Sequence, residues 1–365
     1  MTSPTISNIT TRVLTKRSTN PSWNPRTKWS EKNVLIVFIE TDNGMTGVGE
    51  AWCEGGSPES VIALIDHDLK PGLIGQDALL PNKIWEDNFQ RMLVSGKHGI
   101  VLAALSAIDI ALWDLMGKTS GLPLYKLLGG ASDKVFAYAS GGLYAHGKGP
   151  TELAQEMRGY VDMGFHGVKI KIGGAPLAVD LERVAAVREA VGPDVRFMVD
   201  AVYNYSVPQA LQMARALEPF NIHFLEAPVS LYDIDGLGRV CGNSAVPVAG
   251  NEFAAGRWAF RDVIERGGVS YVHMDSILCG GIGEALRIGA LASSRHLPCS
   301  LHSSSSAVGF AANLHVAAAI SNCDSIEYHM VHQLLFDQIP SGTFVLEDGY
   351  IRLPQEPGLG LTISL

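Results

Sequence analysis

From residue 135 onward the chain alternates between short apolar runs and amphipathic segments, and no other feature constrains the fold as strongly. Strands are predicted at 135–140, 167–172, 195–200, 222–226, 246–252, 269–275, 297–302 and 325–327. Helical periodicity lies between them, for example at 177–191, 207–217, 258–266, 283–296 and 307–320. Runs rich in Val, Ile and Leu, each followed by a helix, require a parallel sheet covered on both faces. Eight such units within about 195 residues predict a (β/α) barrel.

The first 130 residues read differently. Strands are expected at 11–15, 34–40 and 45–52, the last two joined by the turn signal Asp42-Asn43-Gly44. The polar stretch 18–32, with Pro21, Trp23, Pro25 and Trp29, reads as a connecting loop. Helices follow at 58–69, 80–93 and 99–117. The organisation is therefore an α+β domain over 1–130, a barrel over 131–339, and a tail over 340–365. The tail carries a hairpin signal at Glu347-Asp348-Gly349 and is expected to pack back on the first domain.

Composition narrows the function classes. Of 365 residues, 47% are hydrophobic and 18% charged, which excludes a disordered chain. The apolar stretch 99–113 is broken by Ser106 and Asp109 and falls short of a membrane span. The first residues lack a secretory pattern, and five scattered cysteines form no C-x-x-C pair, so a cytoplasmic protein with reduced thiols is expected. A net charge of -9 without a basic run argues against nucleic-acid and membrane partners.

The chemistry sits at the strand ends. Lys171, Asp200, Glu226, Glu252, Asp275, His302 and Glu327 follow one another at intervals of 23 to 29 residues, one βα unit each. In a barrel these positions converge on one mouth. Any one of them alone could be a helix cap or a solvated loop residue; seven in register are not a coincidence. Asp200, Glu226 and Glu252 come from consecutive units, and an oxygen-only set suits a hard cation, most simply Mg²⁺. No His-x-His occurs, which argues against a zinc hydrolase.

Lys169 and Lys171 lie two apart and share a strand face. Two ammonium groups that close are expected to lower each other's pKa, making one a general base; the alternative is that one only pairs a metal-binding carboxylate. Across the mouth, Asp275 can accept a hydrogen bond from His302 and raise its basicity. The other histidines, such as His67, His146 and His315, are expected on helices or in loops. A Lys and a His flanking a cation imply proton abstraction beside a carboxylate. Glu327, if it keeps its proton, can donate a hydrogen bond to the resulting enediolate.

At this point the chain resembles the mandelate racemase/muconate lactonizing enzyme family of the enolase superfamily. The likeness rests on Ala107-Ile108-Asp109-Ile110-Ala111-Leu112-Trp113-Asp114 and Leu127-Leu128-Gly129-Gly130 before the barrel. It continues through Lys169-x-Lys171, Val199-Asp200, Phe224-Leu225-Glu226-x-Pro228, Glu252, Gly280-Gly281-Ile282 and Pro357-Gly358-Leu359-Gly360. Asp275, His302 and Glu327 resemble the mandelate racemase subgroup. The resemblance implies a modified TIM barrel of (β/α)7β type with an N-terminal α+β capping domain. It implies Lys171 and His302 (with Asp275) as acid/base groups and Glu327 as electrophile. Loops around Trp23 and Trp52–Gly56 would touch a small carboxylate substrate. Arg26 and Lys28 are candidates for its anionic or hydroxylated end, or equally are solvated loop charges. A homo-oligomer is the family's habit.

Val202, Ala227 and Asn251 depart from residues the family often carries beside the metal ligands, so substrate does not follow by analogy. The expected reaction is Mg²⁺-dependent dehydration of an aldonate or aldarate to a 2-keto-3-deoxy acid. Racemisation, epimerisation and lactone or anhydro-sugar-acid cycloisomerisation are other outcomes of the same enediolate.

Overall fold

The computed structural model describes residues 3–53, 57–96 and 98–364. Strands β1 (Ile6–Trp23), β2 (Lys28–Thr41) and β3 (Thr46–Ala51) form an antiparallel sheet with β2 in the middle. Against it packs the helix Ile100–Ser120. This helix is long and apolar enough to cross a membrane by length and composition, because it runs past the stretch 99–113 read from the sequence. Most of it is buried inside this chain, and its polar residues make structural bonds. Asp114 accepts from the Val48 and Leu359 amides at 3.0 and 2.8 Å, Asp109 from Gly283 at 3.0 Å, and Ser106 from Gly280 at 3.0 Å.

Strand β4 (Lys134–Ser140) opens the second body and is followed by the short β5 (Tyr144–Ala145). Then come β6 (Gly167–Lys171), β7 (Arg196–Asp200), β8 (Ile222–Glu226) and β9 (Val248–Gly250). Last are β10 (Tyr271–Met274), β11 (Cys299–Leu301) and β12 (Cys323–His329). With β4, β6–β12 make eight parallel strands, and β12 closes the ring by pairing with β4. Among the described residues, longer helices bridge each successive pair, whereas β12 is followed only by the short turn His332–Leu335. That is the (β/α)7β pattern. Phe136, Tyr138, Met198, Phe224 and Ala249 fill the barrel's interior as an apolar floor, leaving polar side chains for the layer above.

The stretch 18–32 is not the loop that its polarity predicts. The β1–β2 ladder resumes after an irregularity between Arg17 and Ser22, with Ser22 opposite Trp29 and Trp23 opposite Lys28. Asn24 fastens the turn by accepting the amides of Arg26 and Thr27, each at 2.8 Å. Backbone pairing holds this arm together without an apolar stripe, so side-chain alternation could not reveal it. Its tip pairs with β5, Ser22 opposite Ala145 and Trp23 opposite Tyr144, which ties the first body to the barrel mouth.

A second tie is Glu50 on β3. Its buried carboxylate accepts from the Ser306 amide and hydroxyl at 3.0 and 2.5 Å and from the Gly309 amide at 2.8 Å. These groups open the helix Ala307–Ala319, where amide dipoles favour an anion. The tail divides between the two bodies. β13 (Leu346–Glu347) and β14 (Tyr350–Arg352) form a hairpin beside β4, while Gly358 bonds Leu122 and Leu124 beyond the long helix.

Gly49 lies where β3 meets the long helix, and a Cβ there would sit 2.0 Å from the Ala107 carbonyl oxygen. Gly49→Ala is therefore expected to lower Tm by several degrees through overpacking against backbone. Gly72→Ala, whose Cβ meets no atom within 4 Å, should leave Tm unchanged or slightly raised. Scanning calorimetry of the two variants checks this.

Candidate active site

The strand ends from β6 to β12 deliver ionisable groups to the interior. On β6, Lys169 and Lys171 share the interior face; β7 and β8 end on Asp200 and Glu226. Glu252, Asp275 and His302 stand just beyond the paired residues of β9, β10 and β11, so those strands are shorter than the apolar runs predict. β12 carries Glu327 and runs on to His329. All of these side chains are buried, and the ring read from the sequence is brought together.

The contacts are specific. Lys169 pairs with Glu226 at 2.5 Å and with Glu327 at 3.0 Å, and Lys171 with Asp200 at 2.5 Å. His302 Nδ1 lies 2.8 Å from Asp275 Oδ2, and its Nε2 is 3.7 Å from Glu327. Asn313 steadies this dyad by donating to Asp275 at 2.7 Å and to the His302 carbonyl at 3.0 Å.

These pairings correct two expectations. Burial acts to lower both lysine pKa values, but the surrounding anions together outweigh it, Glu226 then Glu327 at Lys169 and Asp200 then Glu327 at Lys171, and both are raised. Each ammonium has its own anion, so mutual repulsion does not decide the outcome. Glu327 does not retain its proton either. Burial favours the neutral acid, yet Lys169 and then His302 hold the carboxylate well below its ordinary range. Glu327 acts as a counter-ion. It also outweighs the burial of His302, with Asp275, and the imidazole pKa is raised to about 9.

His273 is the residue that the strand-end pattern does not reveal. Grouped with the other histidines, it is expected on a helix or in a loop, but it lies fully buried on β10, two residues before Asp275 and on the same face. Counting back by two from Asp275 finds it. Its Nδ1 is 3.4 Å from Glu226, its Nε2 3.4 Å from the Tyr138 hydroxyl, and its ring 5.6 Å from His302. Glu226, Glu252 and His273 place ligand atoms within 4.8 Å of one another, a buried carboxylate and imidazole set fit for a metal ion. Asp200 is outside that set because Lys171 and the Val202 amide, the latter at 2.8 Å, engage its carboxylate.

The charges fit a divalent cation. Asp200, Glu226, Glu252, Asp275 and Glu327 are five buried carboxylates facing Lys169, Lys171 and a protonated His302. With all five ionised and His302 charged, two negative charges are left over. Burial, followed by the Glu226 charge, pushes Asp200 and Glu252 toward the protonated form. Glu252 Oε2 is buried with no hydrogen-bond partner. Oxygen-rich donors with spare negative charge are what a hard cation requires.

On the side of the first body, Trp52 stands 6.5 Å from the His302 ring and packs edge-on against Phe253 at 5.6 Å. Glu54, Gly55 and Gly56, expected to continue this loop, lie outside the described residues. Arg26 donates to the backbone carbonyls of Val202, at 2.8 Å, and Tyr203. Trp23 stacks on Tyr144 at 6.4 Å, and Lys28 is exposed with its ammonium 6.0 Å from the Trp23 ring. A cavity of about 300 Å³ opens between the arm and the barrel, lined by Arg26, Trp29, Trp52, Tyr203 and Phe253 among others.

Comparison with known proteins agrees with this architecture. Residues 8–129 match the mandelate racemase/muconate lactonizing enzyme N-terminal domain, and 152–365 match the enolase C-terminal domain-like family. The chain is 40% identical over 330 residues to arabinonate dehydratase of Saccharolobus solfataricus, covering 90% of this chain and 88% of that protein. It is 34% identical over 370 residues to D-galactarolactone cycloisomerase of Agrobacterium fabrum, covering 98% and 96%. The crystal structure of a racemase from Streptomyces coelicolor A3(2) with bound magnesium aligns with TM-score 0.91 at 28% identity, over 98% of this chain and 97% of that one. The chain belongs to the mandelate racemase/muconate lactonizing enzyme family of the enolase superfamily.

Proposed function

We propose that this enzyme dehydrates an aldonate or aldarate to a 2-keto-3-deoxy acid, with Mg²⁺ as its metal. The observation that carries the reading is the placement of Lys171 and the Asp275-braced His302 on β6 and at the end of β11. Four strands on one side of the barrel and two on the other separate them, with the carboxylate set between. The arabinonate dehydratase likeness supports a sugar acid, and the magnesium-bound relative supports the metal. Asp200, Glu226 and Glu252 would hold the ion, and His273 would brace Glu226. When bound, Mg²⁺ supplies positive charge against the enediolate that develops on the substrate carboxylate.

The rest is done by side chains. Lys171 takes the proton beside the carboxylate as the neutral amine, after Asp200 no longer holds it as an ion pair and it has given its own proton to water. His302, protonated at neutral pH with its pKa about 9, gives its proton to the departing β-hydroxyl, which leaves as water. The enol so formed rearranges to the keto acid. The likeness to a D-galactarolactone cycloisomerase supports a second outcome, in which the same enediolate expels a ring oxygen that stays on the molecule, so the ring opens with no loss of water. The Asp275–His302 dyad supports placement in the mandelate racemase subgroup.

Calorimetric titration of the purified protein with MgCl₂ is expected to show one ion per chain. Asp200→Asn, Glu226→Gln and Glu252→Gln should each weaken binding at least ~10-fold by removing ligand charge, and His273→Gln less. If His273→Gln abolishes binding while Asp200→Asn does not, the ion is held by Glu226, Glu252 and His273 instead.

In the metal-free protein, NMR titration should find His302 protonated up to about pH 9, and Asp275→Asn should bring that midpoint down. Because this pKa is raised above the ordinary 6.5, the stability it contributes is complete below that value and is lost as pH rises through about 9. A midpoint unmoved by Asp275→Asn would show that Asp275 does not set the basicity of His302. Finally, incubation with aldonates, aldarates and their lactones in D₂O with Mg²⁺ should yield a carbonyl-reagent-positive keto acid. Deuterium uptake without keto product would select the isomerase outcome.

A further inference from the structure

His329 ends β12 two residues beyond Glu327, so it faces the same interior, one step closer to the mouth. By strand register it sits beside Ser140 on β4. It is 7% exposed, and among the described residues its Nδ1 has no hydrogen-bond partner. An imidazole nitrogen left this way is a cost to the fold that a group arriving from outside would relieve.

Its surroundings fix its orientation and character. The His332 ring stacks on it at 4.2 Å and 17° from parallel, and Ser304, two residues after His302, holds His332 Nδ1 at 3.0 Å. Burial first, then His332, keeps His329 neutral; Lys171 and Lys32 act the same way and Glu327 opposes them. Lys32 enters from β2 and lies 3.6 Å from the centre of the Trp29 ring, so the first body closes over this corner. A neutral imidazole, with one donor and one acceptor nitrogen, matches a hydroxyl, which can answer either.

Resting on the sugar-acid reading above, we propose that His329 selects the substrate by hydrogen-bonding through Nδ1 to a hydroxyl on its carbon chain. It is a specificity residue: it reads a part of the substrate that does not react. An acid with an aromatic or alkyl tail would leave the nitrogen unpaired and be rejected, because a buried polar group without its partner discriminates strongly.

The test uses the Mg²⁺-loaded protein with pentonates and hexonates, arabinonate and galactonate first, and counterparts each lacking one hydroxyl beyond C3. Binding by calorimetry and kcat/KM are both read. The wild type should prefer one parent acid over one deoxy counterpart by about 10- to 100-fold. His329→Phe, which keeps the stacked ring, should erase that preference by weakening the parent alone, and His329→Asn should restore part of it. Preference for the parent acid that survives in His329→Phe overturns the proposal, as does a variant weakened equally toward parent and deoxy acids. Binding that depends on His329 without turnover would keep the proposal and overturn the dehydratase reading. Failure of every acid to bind would overturn both.

Discussion

Five carboxylates buried in the barrel mouth against two lysines and an imidazolium leave a negative imbalance that governs the rest of the site. Isolated buried charge is expensive, so all of these groups but Glu252 are drawn into pairings. Lys169 serves Glu226 and Glu327 together, Lys171 serves Asp200, and Asp275 serves His302. Glu252 is left without a counter-ion of its own and so is poised for a cation. The proton inventory follows from this arrangement. A lysine that would be a base alone is held protonated by its partner, and a histidine that would be neutral is held charged.

Much of this is legible in the sequence, because the barrel repeats. The interval between successive members from Lys171 to Glu327 is set by the length of one strand, one helix and two turns, so the ionisable strand ends can be found without knowing a single contact. What the interval cannot supply is which charge faces which. The lysine pair reads as mutual repulsion in one dimension; in three, Lys171 meets a carboxylate from the neighbouring strand and Lys169 meets two from strands one place further round the barrel. His273 escapes such a reading because the last residue of each run draws the count, while the same face continues two residues earlier. The arm formed by β1 and β2 reads as loop because its register is written in backbone bonds, which polar side chains do not reveal.

The arm gives Arg26 a different use from the one its charge predicts. Its guanidinium grips the carbonyls of Val202 and Tyr203, both in left-handed backbone (φ 49 and 59). A β-branched residue is seldom found there. This is the loop whose Val202 amide orients Asp200. The departure at Val202, which the sequence shows only as a missing polar group, is therefore answered by a contact from the other body. Trp52 alone of the four proposed substrate residues stands beside an acid/base group, His302.

Glu50 carries a consequence for how such enzymes diversify. The residue belongs to the first body, yet it is bonded to Ser306 and Gly309, at the start of the helix that follows His302. A recombinant joining this first body to a relative's barrel would have to bring a matching hydroxyl and small residue at those two positions, or bury an unanswered carboxylate. The two bodies are thus linked at one peptide corner: exchanging whole bodies must satisfy that corner, whereas a point change within a loop elsewhere leaves it intact.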